Sequence, residues 1–160
     1  MAASNVLIRT CRQDDLPAVI AITGEVFKPF AVEGHIQDLL GPPEGKAWLK
    51  IKSQDLKSEV SENPDGCFVA ELDGKVVGYL TTTIHPVASR GRIANLAVSA
   101  AAQGHGAGRK LLLRALEHFR SLGLSQAKIE TLECNQAGQH LYPSVGFREA
   151  ARVIHYAMPL

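Results

Sequence analysis

The stretch Gln103-Gly104-His105-Gly106-Ala107-Gly108-Arg109-Lys110 sets three glycines at alternate positions between two contrasting runs. Before it, Arg92–Val98 is apolar and strand-like; after it, Lys110–Phe119 reads as a helix. Glycine reaches backbone angles closed to other residues and lets a ligand approach the main chain. The first turn of a helix carries unpaired N–H groups and a partial positive charge, so such a loop suits a phosphate. The same glycines would also serve a tight turn that binds nothing, and the loop alone leaves both readings open. Spacing excludes two familiar phosphate loops. Gly41–Ala47 reads Gly-Pro-Pro-Glu-Gly-Lys-Ala and lacks the Walker pattern, and Arg109 stands where a dinucleotide fingerprint would need its third glycine. The three cysteines, Cys11, Cys67 and Cys134, are widely spaced, and the six histidines lack HExxH spacing, so neither a disulfide framework nor a metal site is expected. Cys67 and Cys134 fall in strand-like runs and read as buried thiols.

The elements around the loop can be read from periodicity. Val6–Thr10 is a short strand, and a first helix runs from about Asp15 to Val26 with Asp14 as its N-cap. Residues 28–63 are broken by Pro29, Gly34, Gly41-Pro42-Pro43 and Gly45 into a short helix near Glu33–Leu40 and a longer one near Ala47–Val60. Cys67–Leu72 and Lys75–Ile84, joined by Asp73-Gly74, form a hairpin. A strand at Gly91–Val98 leads into the glycine loop. After the helix come a strand at Ala127–Leu132, a short helix from Asn135 to Tyr142, and terminal strands near Phe147–Ala150 and Arg152–Met158. The 160 residues fit one domain, residues 1–160, of α/β class in the broad sense: a mixed sheet with flanking helices.

Composition narrows the partners. The chain is 46% hydrophobic and 21% charged with a formal net charge of +1, which gives no global reason to expect nucleic acid or an anionic membrane. No apolar stretch has transmembrane length and Met1–Asn5 is no signal peptide, so a cytoplasmic setting is expected.

Two segments together carry a family resemblance. Leu96-Ala97-Val98 followed by Gln103-Gly104-His105-Gly106-Ala107-Gly108 resembles the acetyl-CoA motif Q/R-x-x-G-x-G/A of the GCN5-related N-acetyltransferase (GNAT) family. Asn135-x-x-Gly138-x-x-Leu141-Tyr142-x-x-x-Gly146-Phe147 resembles the second signature of that family, with glycine at 138 where alanine is more usual. The resemblance is specific over Cys67–Phe147 and uninformative over 28–63. It implies a largely antiparallel central sheet of six to seven strands flanked by about four helices. It also implies transfer of an acetyl group from acetyl-CoA to a primary amine by direct attack, with no metal. The acceptor would be a small amine or a protein or peptide amine, and the protein a monomer or homodimer. A non-catalytic acyl-CoA-binding module on the same fold is the alternative.

By the same resemblance, the amides of Gln103, Gly104, His105, Gly106, Ala107 and Gly108, with Arg109 close by, would hold the pyrophosphate. The strand ending at Leu96, Ala97 and Val98 would pair with the pantetheine arm, and Asn135 would hold the cofactor near the thioester, although an Asn here also suits a helix cap. Tyr142 would protonate the leaving thiolate. Glu130 would take the amine's proton; Asn95, where other members carry a carboxylate, cannot, and Glu25 and His85 are further candidates. The acceptor site would fall in the region 28–63 that the family varies; Phe27, Phe30, Glu33 and Trp48 are candidates to line it and equally suit core or surface positions. A lysine-like amine is neutral in only about one molecule in 2,500 at pH 7, so deprotonation costs on the order of 4–5 kcal/mol.

Overall fold

The computed structural model describes residues 5–160; Met1–Ser4, on which part of the reading of the N-terminus rests, lie outside the described residues. One five-stranded sheet runs in sequence order: β1 (Leu7–Thr10), β2 (Phe68–Leu72), β3 (Lys75–His85), β4 (Arg90–Val98) and β5 (Gln126–Ile129). The first three pairings are antiparallel, and β5 alone lies parallel to its neighbour β4. That parallel step is possible because the crossover from β4 contains a helix. Five α-helices accompany the sheet: α1 (Leu16–Val26), α2 (Val32–Leu40), α3 (Trp48–Glu62), α4 (Ala107–Ser121) and α5 (Gln136–Ser144).

Alternation along the strands divides the core into two layers. Phe68, Ala70, Leu80 and Ile93 meet Leu111, Leu112, Ala115, Leu116 and Phe119 of α4 on one face. Cys67, Val69, Tyr79 and Ala97 meet Leu16, Val19 and Ile22 of α1 and Leu56 and Val60 of α3 on the other. The Asp73-Gly74 turn takes φ of +50° and +76°, the left-handed pair that a two-residue hairpin requires.

Among the described residues the sheet has five strands rather than six or seven, and five helices flank it where about four are expected. The missing strands are the terminal ones. Gly146, at φ +108°, turns the chain out of α5, and residues 148–160 stay exposed with no strand partner among the described residues, although Ile154, Tyr156 and Met158 alternate as a strand would. Arg152 instead pairs with Glu149 and Glu133. The strand expected at Ala127–Leu132 is shorter, ending at Ile129, and Cys134 beyond it is exposed. At the N-terminus a 3₁₀ turn, Gln13–Asp15, precedes α1, and Asp15 rather than Asp14 anchors it by accepting from Arg12 N (2.8 Å) and from Arg9.

Candidate functional site

The strand β4 carries an irregularity on which the site depends. Thr81 faces Asn95 and Thr82 faces Ile93, so Ala94 is an extra residue that opposes nothing on β3. A bulge of this kind reverses which face the following side chains occupy. Ile93 therefore packs toward α4, whereas Asn95 and Ala97 face α3 and α1. Pairing with β5 covers only Arg90–Ile93, and from Ala94 onward β4 has no strand on that side among the described residues. The sheet parts here, and the freed edge of β4 leads straight to the glycine loop.

The loop divides its three glycines between two tasks. Gly104 and Gly106 take φ of +81° and +78°, and a Cβ at either would project into open space. Gly108 lies within α4 at ordinary helical angles, where a Cβ would touch Leu141 at 3.5 Å and Val98 at 3.8 Å. Its position sets the start of α4 against α5 and the end of β4 with room for a methyl group. The first intrahelical bond, Lys110 N to Gly106 O at 3.0 Å, leaves the amides of Ala107, Gly108 and Arg109 as the free first turn, with no side-chain cap. Gln103 Nε2 donates to Val98 O (3.1 Å), and the Arg109 guanidinium donates to Ser144 Oγ (2.8 Å), fastening the loop to β4 and α5. Glu25 accepts from Ala100 N at 2.9 Å and steadies the link between β4 and the loop.

Against the start of α4 stands α5. Asn135 is its N-cap: Oδ1 accepts from Gly138 N (3.1 Å) and Nδ2 donates to Thr131 Oγ1 (2.9 Å). Tyr142 packs against the α4-side core and sets its ring against Phe147. Burial pushes its phenol pKa up, and a hydrogen bond with Thr131 offsets part of this. Gly138 explains its departure from alanine, because a Cβ there would come within 3.0 Å of the Tyr142 ring and hydroxyl and 2.7 Å of the Asn135 amide.

The sequence-expected residues on the acceptor side are more scattered. Glu130 sits just past β5, half-exposed, bonded to Lys128 Nζ (2.6 Å) and Arg92 (3.4 Å). The Lys128 hydrogen bond, and then Arg92, hold its carboxyl below the usual range. His85 Nδ1 accepts from Ala88 N in the β3–β4 turn. Trp48 is buried, Phe27 packs on the α1–α3 core beneath Lys52 Nζ (5.3 Å), and Phe30 is largely exposed. Glu33 does line an open cleft of about 320 Å³, together with Lys52, Asp55, Glu59 and Glu62 of α2 and α3 and Arg92 and Ala94 of β4.

Glu59 was not singled out by sequence. Its Oε2 accepts from Thr81 Oγ1 (2.7 Å) and Asn95 Nδ2 (2.7 Å), and Asn95 Nδ2 also reaches Thr81 Oγ1 (2.8 Å). The available signal was helical spacing, because Glu59 is three residues from Leu56 and one from Val60, at the margin of the buried stripe. The bulge that turns Asn95 toward it has no such signature.

The profile of the acetyltransferase (GNAT) family matches residues 34–147, and the chain belongs to that family of enzymes. The mycothiol acetyltransferase of Thermomonospora curvata is 36% identical over 120 residues, 73% of this chain and 39% of that protein. The mycothiol acetyltransferase of Thermobispora bispora is 36% identical over 113 residues, 66% of this chain and 37% of that one. The chain thus spans under two fifths of the length of these two curated relatives. Among solved structures, the paia N-acetyltransferase of Thermoplasma acidophilum, in complex with coenzyme A, superposes with a TM-score of 0.72 at 19% identity, covering 90% of each chain. The ribosomal-protein-alanine N-acetyltransferase of Brucella melitensis gives 0.64 at 28% identity over 91% of this chain and 86% of that one. No helix among the described residues is long and apolar enough to cross a membrane, and none of their His, Cys, Asp and Glu side chains gather in threes as a metal site would require.

Proposed function

We propose that residues 1–160 act as one acetyltransferase domain that moves an acetyl group from acetyl-CoA to a primary amine by direct attack. The observation that carries this reading is the parting of β4 from β5 beside the free first-turn amides of α4, with α5 and its Tyr142 held against the start of that helix. Amides of residues 103–108 receive the pyrophosphate, since several converging charge-assisted hydrogen bonds contribute roughly 1.5–3 kcal/mol each. The amide-bearing pantetheine arm lies along the free edge at Leu96–Val98 as an added strand would. Asn135, already holding Gly138 N and Thr131, keeps one lone pair and one N–H for the cofactor.

The amine must shed a proton, attack the thioester carbonyl and expel a thiolate. The new C–N bond replaces C–S, one amine proton leaves to a base, and the second ends on sulfur. Tyr142 is the donor to sulfur; its raised pKa keeps it protonated throughout the neutral range. Glu130, the carboxylate named by resemblance, is a poor proton acceptor while Lys128 and Arg92 hold its charge.

The test is release of free CoA thiol from acetyl-CoA with a panel of small amines, amino acids and peptides. Turnover with an amine supports the reading. Binding of acetyl-CoA without turnover across the panel favours an acyl-CoA-binding module, and absence of binding removes both.

A further inference from the structure

We propose that the cleft beneath the β4 bulge is the acceptor site, that Glu59 takes the proton from the attacking amine, and that the surrounding carboxylates select an amine carrying a second positive charge. This rests on the acetyltransferase reading and assigns its missing half.

Three observations converge. The first is position: the cleft is walled by Ala94, the bulge residue at which β4 separates from β5, so an acceptor seated there faces the same opening that receives the thioester. The second is the holding of Glu59. Both of its hydrogen bonds fall on Oε2, from Thr81 and from Asn95, and among the described residues no cation pairs with it and nothing bonds Oε1. Asn95 is 2% exposed, its side chain is directed at this wall of the cleft, and its Oδ1 has no partner among the described residues. A buried amide with one end unsatisfied costs stability. Here its other end fixes a carboxylate in one orientation at the edge of a cavity, as a positioned proton acceptor requires.

The third observation is charge. Glu33, Asp55, Glu59 and Glu62 line the cleft against Lys52 and Arg92. Both cations are engaged: Arg92 reaches Glu130, and Lys52 lies over the Phe27 ring. The cleft therefore presents excess negative charge in a chain whose formal net charge is +1. A diamine or longer polycation fits this arrangement, with one ammonium at Glu59 and the other among the remaining carboxylates. An amine bearing a carboxylate near its nitrogen does not. When R–NH3⁺ gives one proton to Glu59, the nitrogen lone pair attacks the thioester; the proton lost after attack reaches sulfur through Tyr142. Glu59 returns its proton to water through the open cleft.

Steady-state thiol release by the full chain with a matched series (alkyl monoamines, α,ω-diamines of increasing length, and ω-amino acids) tests the assignment. Diamines are expected to exceed monoamines of equal length in kcat/KM by roughly tenfold, ω-amino acids to fall below both, and the difference to shrink as salt rises. Asp55→Asn combined with Glu62→Gln is expected to narrow the diamine preference. Glu59→Gln preserves an acceptor for Thr81 and Asn95, and is expected to lower kcat about 10²-fold and remove the acid limb of its pH profile. The groups facing Glu59 that could otherwise titrate are Glu33, Asp55, Glu62, Lys52 and Arg92 at the cleft, and Cys67 and Tyr79 behind it. Burial pushes Cys67 to about 11 and Tyr79 upward, outside the acid limb. Calorimetric binding of acetyl-CoA to Glu59→Gln separates a lost base from a lost fold. Wild-type kcat and an unchanged acid limb in that variant overturn Glu59 as base, and equal use of diamines and ω-amino acids overturns the charge selection. If wild-type protein turns over no amine at all, the acetyltransferase reading itself falls.

Discussion

Gly106→Ala has two consequences that different measurements separate. Gly106 is the N-cap of α4 at φ +78°, ψ 5°, and a Cβ there meets no protein atom within 4 Å. An L-residue in this left-handed conformation costs about 1–2 kcal/mol. For a chain of this size each kcal/mol lowers Tm by roughly 2–4 °C. The new methyl group also projects into the open space that the proposed phosphate site requires. Losing one charge-assisted hydrogen bond, about 1.5–3 kcal/mol, weakens coenzyme A binding roughly 10- to 150-fold. Gly108→Ala is the internal control, because Gly108 has helical angles and its Cβ makes ordinary contacts with Leu141 and Val98. Alanine is favoured over glycine within a helix by up to about 1 kcal/mol, so this variant is expected to hold or gain stability. Thermal unfolding without cofactor gives the first quantity and titration calorimetry with coenzyme A the second. If Gly106→Ala binds coenzyme A as tightly as the native protein, the phosphate assignment is refuted whatever happens to Tm. If Gly108→Ala loses as much stability as Gly106→Ala, the division of labour among the glycines is wrong.

Tyr142→Phe keeps the ring packing on Phe147 and is expected to lower kcat on the order of 10²-fold with little change in acetyl-CoA affinity; unchanged turnover removes the acid assignment. His118 is 8% exposed between Phe68 and Phe119 with Nε2 unpartnered among the described residues, and burial, then Arg114, holds its pKa below 6.5. The unfolded chain therefore binds the extra proton first, so stability from this site is complete above pH 6.5 and is lost as pH falls through the folded value. Urea unfolding of His118→Gln is expected to show a shallower decline on the acid side than the native protein. Gly91→Ala would bring a methyl group within 2.4–2.5 Å of the buried Phe119 ring, and a loss of about 1–3 kcal/mol is expected in the same assay.

Legibility followed chemical marking. Asp73-Gly74 announces its turn, and the turn sets the pairing of Leu72 with Lys75 and Glu71 with Val76, beyond which a bulge shifts the β2–β3 register. The helices at Val32–Leu40 and Trp48–Glu62 were bounded by prolines and glycines to within about two residues, even though nothing in their composition spoke of function. The terminal strands failed for the opposite reason. Ile154, Tyr156 and Met158 satisfy period-two alternation, but alternation reports only that a segment could pair, and a strand exists where another backbone receives its hydrogen bonds. The same limit shortened β5, whose ladder stops at Ile129 because β4 bulges at Ala94 and leaves it.

That single bulge also explains why the two halves of the site differ in how well they can be read. The proposed donor half rests on main-chain amides, and a backbone that must adopt positive φ at Gly104 and Gly106 writes its requirement into the sequence as glycine. The acceptor half is assembled from side chains on α2, α3 and β4, separated by up to about sixty residues, and each looks locally like an ordinary surface or core position. Asn95 read as a residue that cannot be a base, which is correct of its own chemistry. Shifted by one residue of bulge, it points at α3 instead of α4 and supplies geometry to a carboxylate that can. A strand without the bulge would send Ile93 toward α3 and break the packing with Phe119's layer. The hydrophobic register of β4 below the bulge and the polar contact above it thus require each other. Fold and proposed chemistry meet at Ala94, the residue that opposes nothing on β3 and lines the cleft.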